Sequence, residues 1–288
     1  MAARLLDGQK VADEIKGQLA ARVSELASKG KTPGLGTILV GDDDSSARYV
    51  AMKHKDCEEI GIASFHRHLP SDVTQDELNS VIDEFNENTS IDAYLIQLPL
   101  PSHIDEVAAL MRVDPDKDVD GLHPVNLGKL VMGAEGPLPC TPNGILALLN
   151  HYGVRTERSR IVIVGRGLTI GRPLSLLLTL KRPGCNATVT VVHTGTKDIS
   201  AFTKEADIVI AAAGQAHLIK GSMIRPGAAV VGAGTTFVKG KLLSDLDDDV
   251  AEVAGWVTPR IGGVGPMTRA MLLVNAVLAA ERHHGKDR

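Results

Sequence analysis

The 288-residue chain contains few cysteines, and their positions exclude two common uses of the residue. Cys57, Cys140 and Cys185 are odd in number, far apart and without Cys-x-x-Cys spacing. That pattern excludes a zinc cluster of the usual spacing and the disulfide framework of a small secreted domain. The histidines add no metal-ligand cluster, so we expect reduced, buried thiols and no bound metal.

The chain also lacks long apolar runs and any excess of positive charge. It has no stretch of about 18 apolar residues to span a bilayer, and polar residues follow the N-terminus too soon for a signal peptide. The formal net charge is -4, and no basic run offers a track for a phosphate backbone. We therefore expect a cytoplasmic enzyme or binding protein that contacts neither membrane nor nucleic acid.

Apolar periodicity in the first half predicts alternating helices and strands. The predicted elements are a helix capped by Asp7 and closed by Gly30, a strand at 35–40, a helix ending at Gly61, a strand at 63–69, a helix from the Thr74/Glu77 capping box to about Asn88, and a strand at 93–98. Such alternation favours a mostly parallel sheet.

A second sheet is predicted after a segment rich in Gly and Pro, from Gly133 to Pro142, where we place the domain junction. Thr141 is the expected cap of the next helix, with Pro142 at its first position. The β-branched runs at 161–164, 187–192, 207–212 and 228–231 then predict a nucleotide-fold-like sheet. A final helix from Met267 to about Arg282 is apolar on more than one side, so we expect it to return to the first domain.

Tyr49 and Lys53 are the first candidates for catalysis. They lie four residues apart just after the strand at 35–40, so a helix there presents both on one face. Open α/β sheets bind ligands at the carboxyl ends of their strands, and a phenol beside an amine suits acid–base chemistry.

Glycines after the strand at 161–164 predict a dinucleotide site. The segment Gly165-Arg166-Gly167 continues to Gly171 as Gly-x-Gly-x-x-x-Gly, one residue longer than the usual fingerprint, and leads into a Leu-rich helix. Backbone amides and the helix N-terminus suit a pyrophosphate, although a purely structural tight turn is the alternative.

The end of the next strand favours NADP over NAD. A carboxylate there would accept the ribose hydroxyls of NAD, whereas this chain has His193, Thr194 and Lys197, with Arg166 as a further donor. His193 is equally well explained as a packed surface histidine.

The remaining polar candidates lie in loops. Gln97 ends a strand, where its amide either reads a heterocycle or only caps the loop. Asp116 to Gly121 looks like a calcium loop, but Leu127 stands where the bidentate acid belongs, so the acidic residues are solvated turn formers or acceptors for an amino-bearing ring. The loop from Gly262 to Thr268 is either a nest of amides or a plain helix entry.

Six motifs in order over nearly the whole chain resemble the bifunctional methylenetetrahydrofolate dehydrogenase/cyclohydrolase family. They are Tyr49-x-x-x-Lys53, Gln97-Leu98-Pro99-Leu100-Pro101, Lys117-Asp118-Val119-Asp120-Gly121, Pro139-Cys140-Thr141-Pro142, Gly165-Arg166-Gly167 and Gly262 to Thr268. The resemblance implies a folate-binding catalytic α/β domain at 1–140, an NADP-binding Rossmann domain at 141–268, a helix at 269–288 packing back on the first domain, a cleft between the domains and a homodimer formed through the Rossmann domains.

The resemblance also implies the reaction and the residues that carry it out. Hydride passes from 5,10-methylenetetrahydrofolate to NADP⁺, and water then opens the methenyl cation to 10-formyltetrahydrofolate. Lys53 would serve the hydrolytic step with Gln97 holding its amine, while Tyr49 borders the folate and Asp120 accepts hydrogen bonds from the pterin. The implied cofactor residues are Gly165, Arg166, Gly167, Gly171, His193, Thr194 and Thr235, and the implied folate contacts also include Gly262, Gly263 and Pro266.

Departures from the family pattern leave other readings open. Arg260 interrupts the usual Pro-x-Pro before the Gly-Gly pair, Gly232 replaces an acidic residue, Thr235 replaces an apolar one, and Gly167 replaces a serine. One alternative is a paralogue that senses nucleotide and has lost turnover. Retention of Lys53 and the other three proposed catalytic residues, Tyr49, Gln97 and Asp120, argues against it. A shikimate-dehydrogenase-like enzyme is another, and formate–tetrahydrofolate ligase activity has no P-loop or extra domain to support it.

Overall fold

The computed structural model describes residues 3–238 and 241–285 and divides the protein into two compact units. The six-stranded unit is built from the residues up to Asp13, Leu130–Ala134 and Thr141–Thr268. The three-stranded unit is built from Glu14–Lys129, Glu135–Cys140 and the residues from Arg269 onward. None of the described helices is long and apolar enough to cross a membrane.

Helices and strands alternate along most of the chain. In order they are β1 (Arg4–Leu5), α1 (Gly8–Ser28), β2 (Gly34–Val40), α2 (Asp44–Ile60), β3 (Ala63–Leu69), α3 (Gln75–Glu87), β4 (Ala93–Ile96), α4 (Glu106–Arg112), α5 (Pro124–Met132), α6 (Cys140–His151), β5 (Arg160–Val164), α7 (Gly171–Thr179), β6 (Thr188–Val192), α8 (Ser200–Thr203), β7 (Ile208–Ala211), β8 (Ala229–Gly232), β9 (Thr235–Val238), β10 (Lys241–Ser244), α9 (Val250–Val253), β11 (Trp256–Val257) and α10 (Val264–Gly285).

The three-stranded unit has a parallel sheet in the order β3-β2-β4. The central strand β2 is buried along all seven residues, whereas the edge strand β3 alternates between half-buried and exposed. One side of the sheet packs on α3, where Leu78, Ile82 and Phe85 meet Tyr94 of β4. Leu35 and Ile38 to Val40 supply its apolar side chains, and the buried Thr37 is satisfied by hydrogen bonds from its hydroxyl to His54 and His66.

Helix ends in this unit follow the sequence signals, and these predictions are confirmed. Thr74 and Glu77 form the reciprocal capping box of α3. Gly61, at φ 83°, ends α2 in the left-handed conformation that glycine adopts without strain. Asp7 accepts the backbone N–H of Lys10 at 3.1 Å, as a helix cap does.

The six-stranded unit has a parallel sheet in the order β1-β11-β8-β7-β5-β6. The chain runs outward from β5 to β6 and then crosses to β7 on the other side of β5. Strand order therefore reverses between β5 and β7, and ligands of such sheets bind beside the carboxyl ends of the strands at that reversal. The four predicted strands of this sheet are confirmed, with ends that differ by a residue or so.

Three predicted boundaries were wrong. The helix expected to start after a Thr141 cap begins at Cys140, whose N–H donates to the Asp120 carbonyl, and the Thr141 hydroxyl bonds the Thr268 hydroxyl at 3.0 Å. Strand β4 ends at Ile96 rather than residue 98; the Gln97 N–H still donates to the Ile38 carbonyl at 2.8 Å, and Pro99 has no N–H with which to extend the pairing. The final helix starts at Val264 and continues to Gly285.

Candidate functional site

Tyr49 and Lys53 share one face of α2, as their spacing predicts. Asp43 caps this helix by accepting the N–H of Ser46 at 2.7 Å. The Lys53 ammonium nitrogen lies 4.9 Å from the centroid of the Tyr49 ring. The helix therefore holds the amine against the aromatic face.

Gln97 fixes the position of the lysine amine. Lys53 Nζ donates to Gln97 Oε1 at 3.0 Å, and Gln97 Nε2 donates to the carbonyl of Leu98 at 2.9 Å. The second bond sets the orientation of the amide, because the nitrogen must face Leu98 and the oxygen must face the lysine. The sequence allowed Gln97 either to cap the loop or to recognise a heterocycle. In the structure its amide caps the loop at Leu98 and also holds the Lys53 amine.

Lys53 is nearly inaccessible, with 4% of its surface exposed. Burial lowers the pKa of its amine, and the nearby charge of Arg269 lowers it further, while Asp120, Cys140 and Cys57 oppose the shift. Burial raises the pKa of Asp120, with Lys53 opposing that shift. Both members of this pair are thus moved toward their neutral forms, which is the condition for an amine to accept a proton near neutral pH.

The loop that carries Asp120 is built by a buried carboxylate. Asp118 accepts the backbone N–H of Gly121 at 3.1 Å, the backbone N–H of His123 at 2.8 Å and the side-chain amide of Asn126 at 2.9 Å. Gly121 has φ 70°, and an added Cβ would lie 2.6 Å from the carbonyl carbon of Leu138. The expectation that these acidic residues are solvated or bind a ring is wrong for Asp118, which is buried and holds the loop.

The same unit contains site-forming residues that the sequence analysis missed. Asn275 of α10 donates from Nδ2 to the carbonyls of Val119 and Leu138, at 2.8 and 2.9 Å, and so holds the residues beside Asp120. An asparagine within the apolar run of α10 was the available signal. All three cysteines are free and buried, and burial raises the pKa of Cys57 to about 12, so this thiol stays protonated.

In the six-stranded unit, the glycines after β5 make a tight turn. Gly165 has φ 123°, and a Cβ there would lie 2.2 Å from the carbonyl oxygen of Ala212. A Cβ on Gly171 would lie 2.3 Å from the Gly165 oxygen, whereas no described atom lies within 4 Å of one on Gly167. The turn therefore requires glycine at 165 and 171, and the backbone at Gly167 faces open space beside the exposed Arg166.

His193 at the end of β6 organises its own turn. The N–H of Gly195 donates to His193 Nδ1 at 3.0 Å, and the N–H of His193 donates to the Thr196 hydroxyl at 3.0 Å. Because Nδ1 accepts, the ring proton is on Nε2. Thr194 and Lys197 beside it are exposed, so this turn presents hydrogen-bond donors and one positive charge.

Asp245 anchors the loop after β7, which sequence reasoning did not detect. Its carboxylate accepts the backbone N–H groups of Ala213 at 2.7 Å, Gly214 at 3.0 Å and Gln215 at 2.8 Å. The side chain is completely buried, and β9 begins nearby with the exposed Thr235. One carboxylate thus fixes a loop at the reversal of strand order.

The loop before α10 is a close backbone approach. The N–H of Gln9 donates to the carbonyl of Gly262 at 2.9 Å, and a Cβ on Gly263 would lie 2.6 Å from the Pro259 oxygen. Gly262 has φ 83°, and Pro266 is buried in the first turn of the helix. Arg260 is exposed, so the loop accommodates this departure without burying its charge.

Two family models match separate halves of the chain. The model described as "Tetrahydrofolate dehydrogenase/cyclohydrolase, catalytic domain" matches residues 6–120. The model described as "Tetrahydrofolate dehydrogenase/cyclohydrolase, NAD(P)-binding domain" matches residues 139–284.

Known proteins match this chain over almost its full length. The bifunctional protein FolD of Syntrophotalea carbinolica is 55% identical over 281 residues, which are 98% of this chain and 97% of that protein. The structure of the bifunctional enzyme FolD from Campylobacter jejuni matches with a TM-score of 0.94 and 42% identity, over 98% of this chain and 100% of that one. FolD from Trypanosoma brucei, solved in complex with NADP cofactor and an inhibitor, matches with a TM-score of 0.93 and 40% identity, over 99% of each chain.

Proposed function

Because the chain belongs to the tetrahydrofolate dehydrogenase/cyclohydrolase family, we propose that it oxidises 5,10-methylenetetrahydrofolate with NADP⁺ and hydrolyses the resulting methenyl compound to 10-formyltetrahydrofolate. The buried Lys53 amine, held by Gln97 against Tyr49, is the observation that carries the proposal. A buried amine with a lowered pKa and a fixed partner suits proton transfer better than a structural role, which would favour an ion pair.

In the hydrolytic step, Lys53 is the residue that handles the proton. Water adds to the methenyl carbon, and the neutral amine of Lys53 accepts a proton from that water, or orients it through one hydrogen bond. Gln97 Oε1 keeps one amine hydrogen engaged, so the nitrogen lone pair has a defined direction. Opening of the ring then breaks the bond between the one-carbon unit and N5, and N5 takes up a proton.

Asp120 and Tyr49 are proposed to orient the folate. The Asp120 carboxylate accepts hydrogen bonds from the amino group and ring nitrogens of the pterin, and the Tyr49 ring borders the same ligand. Burial also raises the pKa of the Tyr49 phenol, so this group stays protonated and is not the base. Gly262, Gly263 and Pro266 are proposed as further folate contacts, because two adjacent glycines carry no side chain to keep a ligand from the backbone of this loop.

The six-stranded unit fits a dinucleotide. Gly167 leaves the backbone open to a pyrophosphate between the constrained Gly165 and Gly171, at the reversal of strand order. Arg166, His193 and Thr194 offer donors for a 2′-phosphate, and Thr235 lies at the start of β9. Bound NADP⁺ would supply the hydride acceptor for the oxidation, and the residues of this unit would contribute its positioning.

The alternative of a nucleotide sensor without turnover receives no support from the comparisons. The relatives are named as bifunctional enzymes, and this chain keeps the Lys53–Gln97 hydrogen bond. Nor does a shikimate-dehydrogenase-like enzyme explain matches to both folate family models.

Lys53→Met tests the proposal, with Lys55→Met as the matched control. Both lysines lie on α2, but Lys55 is exposed. Proton transfer by a positioned group contributes roughly 10²- to 10⁴-fold, so we expect Lys53→Met to slow the decay of methenyltetrahydrofolate absorbance at least about 100-fold. NADPH formation from methylenetetrahydrofolate should fall less, because that step depends mainly on positioning.

Either of two results would count against this function. Hydrolysis by Lys53→Met within tenfold of Lys55→Met would remove Lys53 from the mechanism. If wild type showed neither activity while still binding NADPH, the sensor would become the better explanation.

The domain limits, the oligomeric state and the location are also proposals. We propose a folate domain at 1–140, an NADP domain at 141–268 and a returning helix at 269–288, of which 286–288 lie outside the described residues. Grouping of the chain from Arg269 onward with Glu14–Lys129 supports the last assignment. We further propose a cytoplasmic homodimer formed through the six-stranded unit, where β6 is an edge strand able to pair or pack, and sedimentation at several concentrations tests it.

A further inference from the structure

Four charged side chains form a network on and around α2, the helix that carries Lys53. Arg269 Nε donates to Asp56 Oδ2 at 2.6 Å, and Lys16 Nζ donates to Asp56 Oδ1 at 3.2 Å and to Glu59 Oε2 at 2.6 Å. The side chains of Arg269 and Lys16 are each 15% exposed, and that of Asp56 is 8% exposed. Charges this poorly solvated act on their neighbours more strongly than surface charges do.

The network is attached to the catalytic face of α2. Asp56 follows Lys53 by three positions and therefore neighbours it on the helix surface, and Met52 lies four positions before Asp56 on the same side. The Arg269 guanidinium contacts both, since its second nitrogen lies 3.8 Å from the Met52 sulfur. A guanidinium tied at two points of this face has little freedom to move away from Lys53.

Groups from several elements act on Lys53. They are Asp120 from its loop, Cys140 from α6, Cys57 and His54 from α2 itself, and Arg269 from α10. Asp120 and Arg269 act in opposite directions, because the carboxylate favours the charged amine and the guanidinium opposes it. Arg269 therefore acts on the amine as a positive charge, and its hydrogen bond to Asp56 fixes where that charge lies.

We propose that Arg269 is a positioning residue for the hydrolytic step: anchored by Asp56, its guanidinium fixes the face of α2 that carries Tyr49 and Lys53 and sets the positive potential at the Lys53 amine. This inference rests on the proposed function of Lys53. It assigns to the ion pair a role in catalysis in addition to its role in packing.

The test is the pH profile of methenyltetrahydrofolate hydrolysis, after subtraction of the uncatalysed rate, for wild type, Arg269→Met, Arg269→Lys and Asp56→Asn. The rising limb reports deprotonation of the amine. Removing the cation should move that limb to higher pH by roughly half to one unit. Asp56→Asn leaves Arg269 and Lys16 without this carboxylate, so the limb should move to lower pH. Arg269→Lys keeps the charge and should stay close to wild type.

Opposite shifts are the signature, because damage to packing alone would change the rate of both variants without moving the limb in opposite directions. Unmoved limbs, or shifts of the same sign, would overturn the proposal. If Arg269→Met does not fold, Asp56→Asn and Arg269→Lys still decide, since an upward or absent shift in Asp56→Asn contradicts it. Failure of the proposed function would be seen separately. Lys53→Met would then hydrolyse methenyltetrahydrofolate as fast as Lys55→Met does, whichever residue stands at position 269.

Discussion

Gly8 is the position where a single methyl group should do most damage to the loop at Gly262 and Gly263. A Cβ on Gly8 would lie 1.8 Å from the carbonyl oxygen of Gly263, 2.8 Å from its carbonyl carbon and 3.1 Å from the Gly262 oxygen. The neighbouring Gln9 N–H donates to the Gly262 carbonyl, so helix α1 and this loop are also joined by a hydrogen bond. The clash is with backbone, which cannot rotate away as a side chain does.

The cost of Gly8→Ala follows from these distances. Real Cβ contacts essentially never fall below 3.0 Å, so the Gly263 oxygen must retreat by at least 1.2 Å. Overpacking of this kind costs about 1–3 kcal/mol. Loss of the Gln9 hydrogen bond adds about 1 kcal/mol. We therefore expect the free energy of unfolding to fall by about 2–4 kcal/mol.

Gly17→Ala on the same helix is the matched control. No described atom lies within 4 Å of a Cβ at Gly17, and the residue is exposed in the interior of α1. Alanine costs less backbone entropy than glycine in a helix, so this change should stabilise by about 0.5–1 kcal/mol. The two substitutions are chemically identical and should have opposite signs.

Urea denaturation followed by circular dichroism measures both variants, and steady-state kinetics add a second readout. Because the displaced loop is a proposed folate contact, Gly8→Ala should also raise the KM for methylenetetrahydrofolate more than the KM for NADP⁺. A Gly8→Ala protein within about 0.5 kcal/mol of wild type would refute the reasoning, as would a destabilised Gly17→Ala.

Two further predictions concern hydrogen-bonded polar side chains. Asp245→Ala leaves three backbone N–H donors without their acceptor and should weaken NADPH binding at least about tenfold in fluorescence titration. The matched control is Asp248→Ala, because Asp248 is exposed. Equal NADPH affinities of the two variants would contradict the role of Asp245 in holding the loop. Partial desolvation, followed by the charge of neighbouring basic groups, lowers the pKa of His54 and His66, which both bond the Thr37 hydroxyl. The unfolded chain therefore binds protons more readily, so stability should fall as pH drops below about 6.5. His66→Gln should reduce that slope in urea midpoints, and an unchanged slope would exclude these histidines.

Local signals predicted the helix ends that are decided locally. The Thr74/Glu77 capping box and the glycine after α2 satisfy backbone groups within one turn, so a single sequence contains the required information. The start of α6 is different. Thr141 and Pro142 are typical of a helix start, yet the Thr141 hydroxyl bonds Thr268, which is 127 residues away. A tertiary partner changed the use of the cap residue, and no local pattern contains that partner.

The candidate site likewise has one feature that local sequence predicts and others that depend on distant residues. The spacing of Tyr49 and Lys53 predicted a shared helix face, because it depends only on helical periodicity. The charge state of the amine depends on Asp120 and Arg269, which come from distant parts of the chain. Asp118 shows the limit most clearly, since an acidic residue in a Gly-containing loop is a typical solvated turn former and here is a buried acceptor.

The lowered pKa of Lys53 and the raised pKa of Asp120 also indicate how the site should respond to its proposed ligand. Burial moves both groups toward neutrality in the protein alone. The methenyl compound is a cation, and a positive charge bound beside the pair favours an ionised carboxylate and a neutral amine. Substrate binding would thus strengthen Asp120 as an acceptor and keep Lys53 able to take a proton. After hydrolysis that ligand charge is gone, so Asp120 returns toward its neutral form and its hold on the product weakens. The same buried charges that prepare the amine would then favour release of 10-formyltetrahydrofolate.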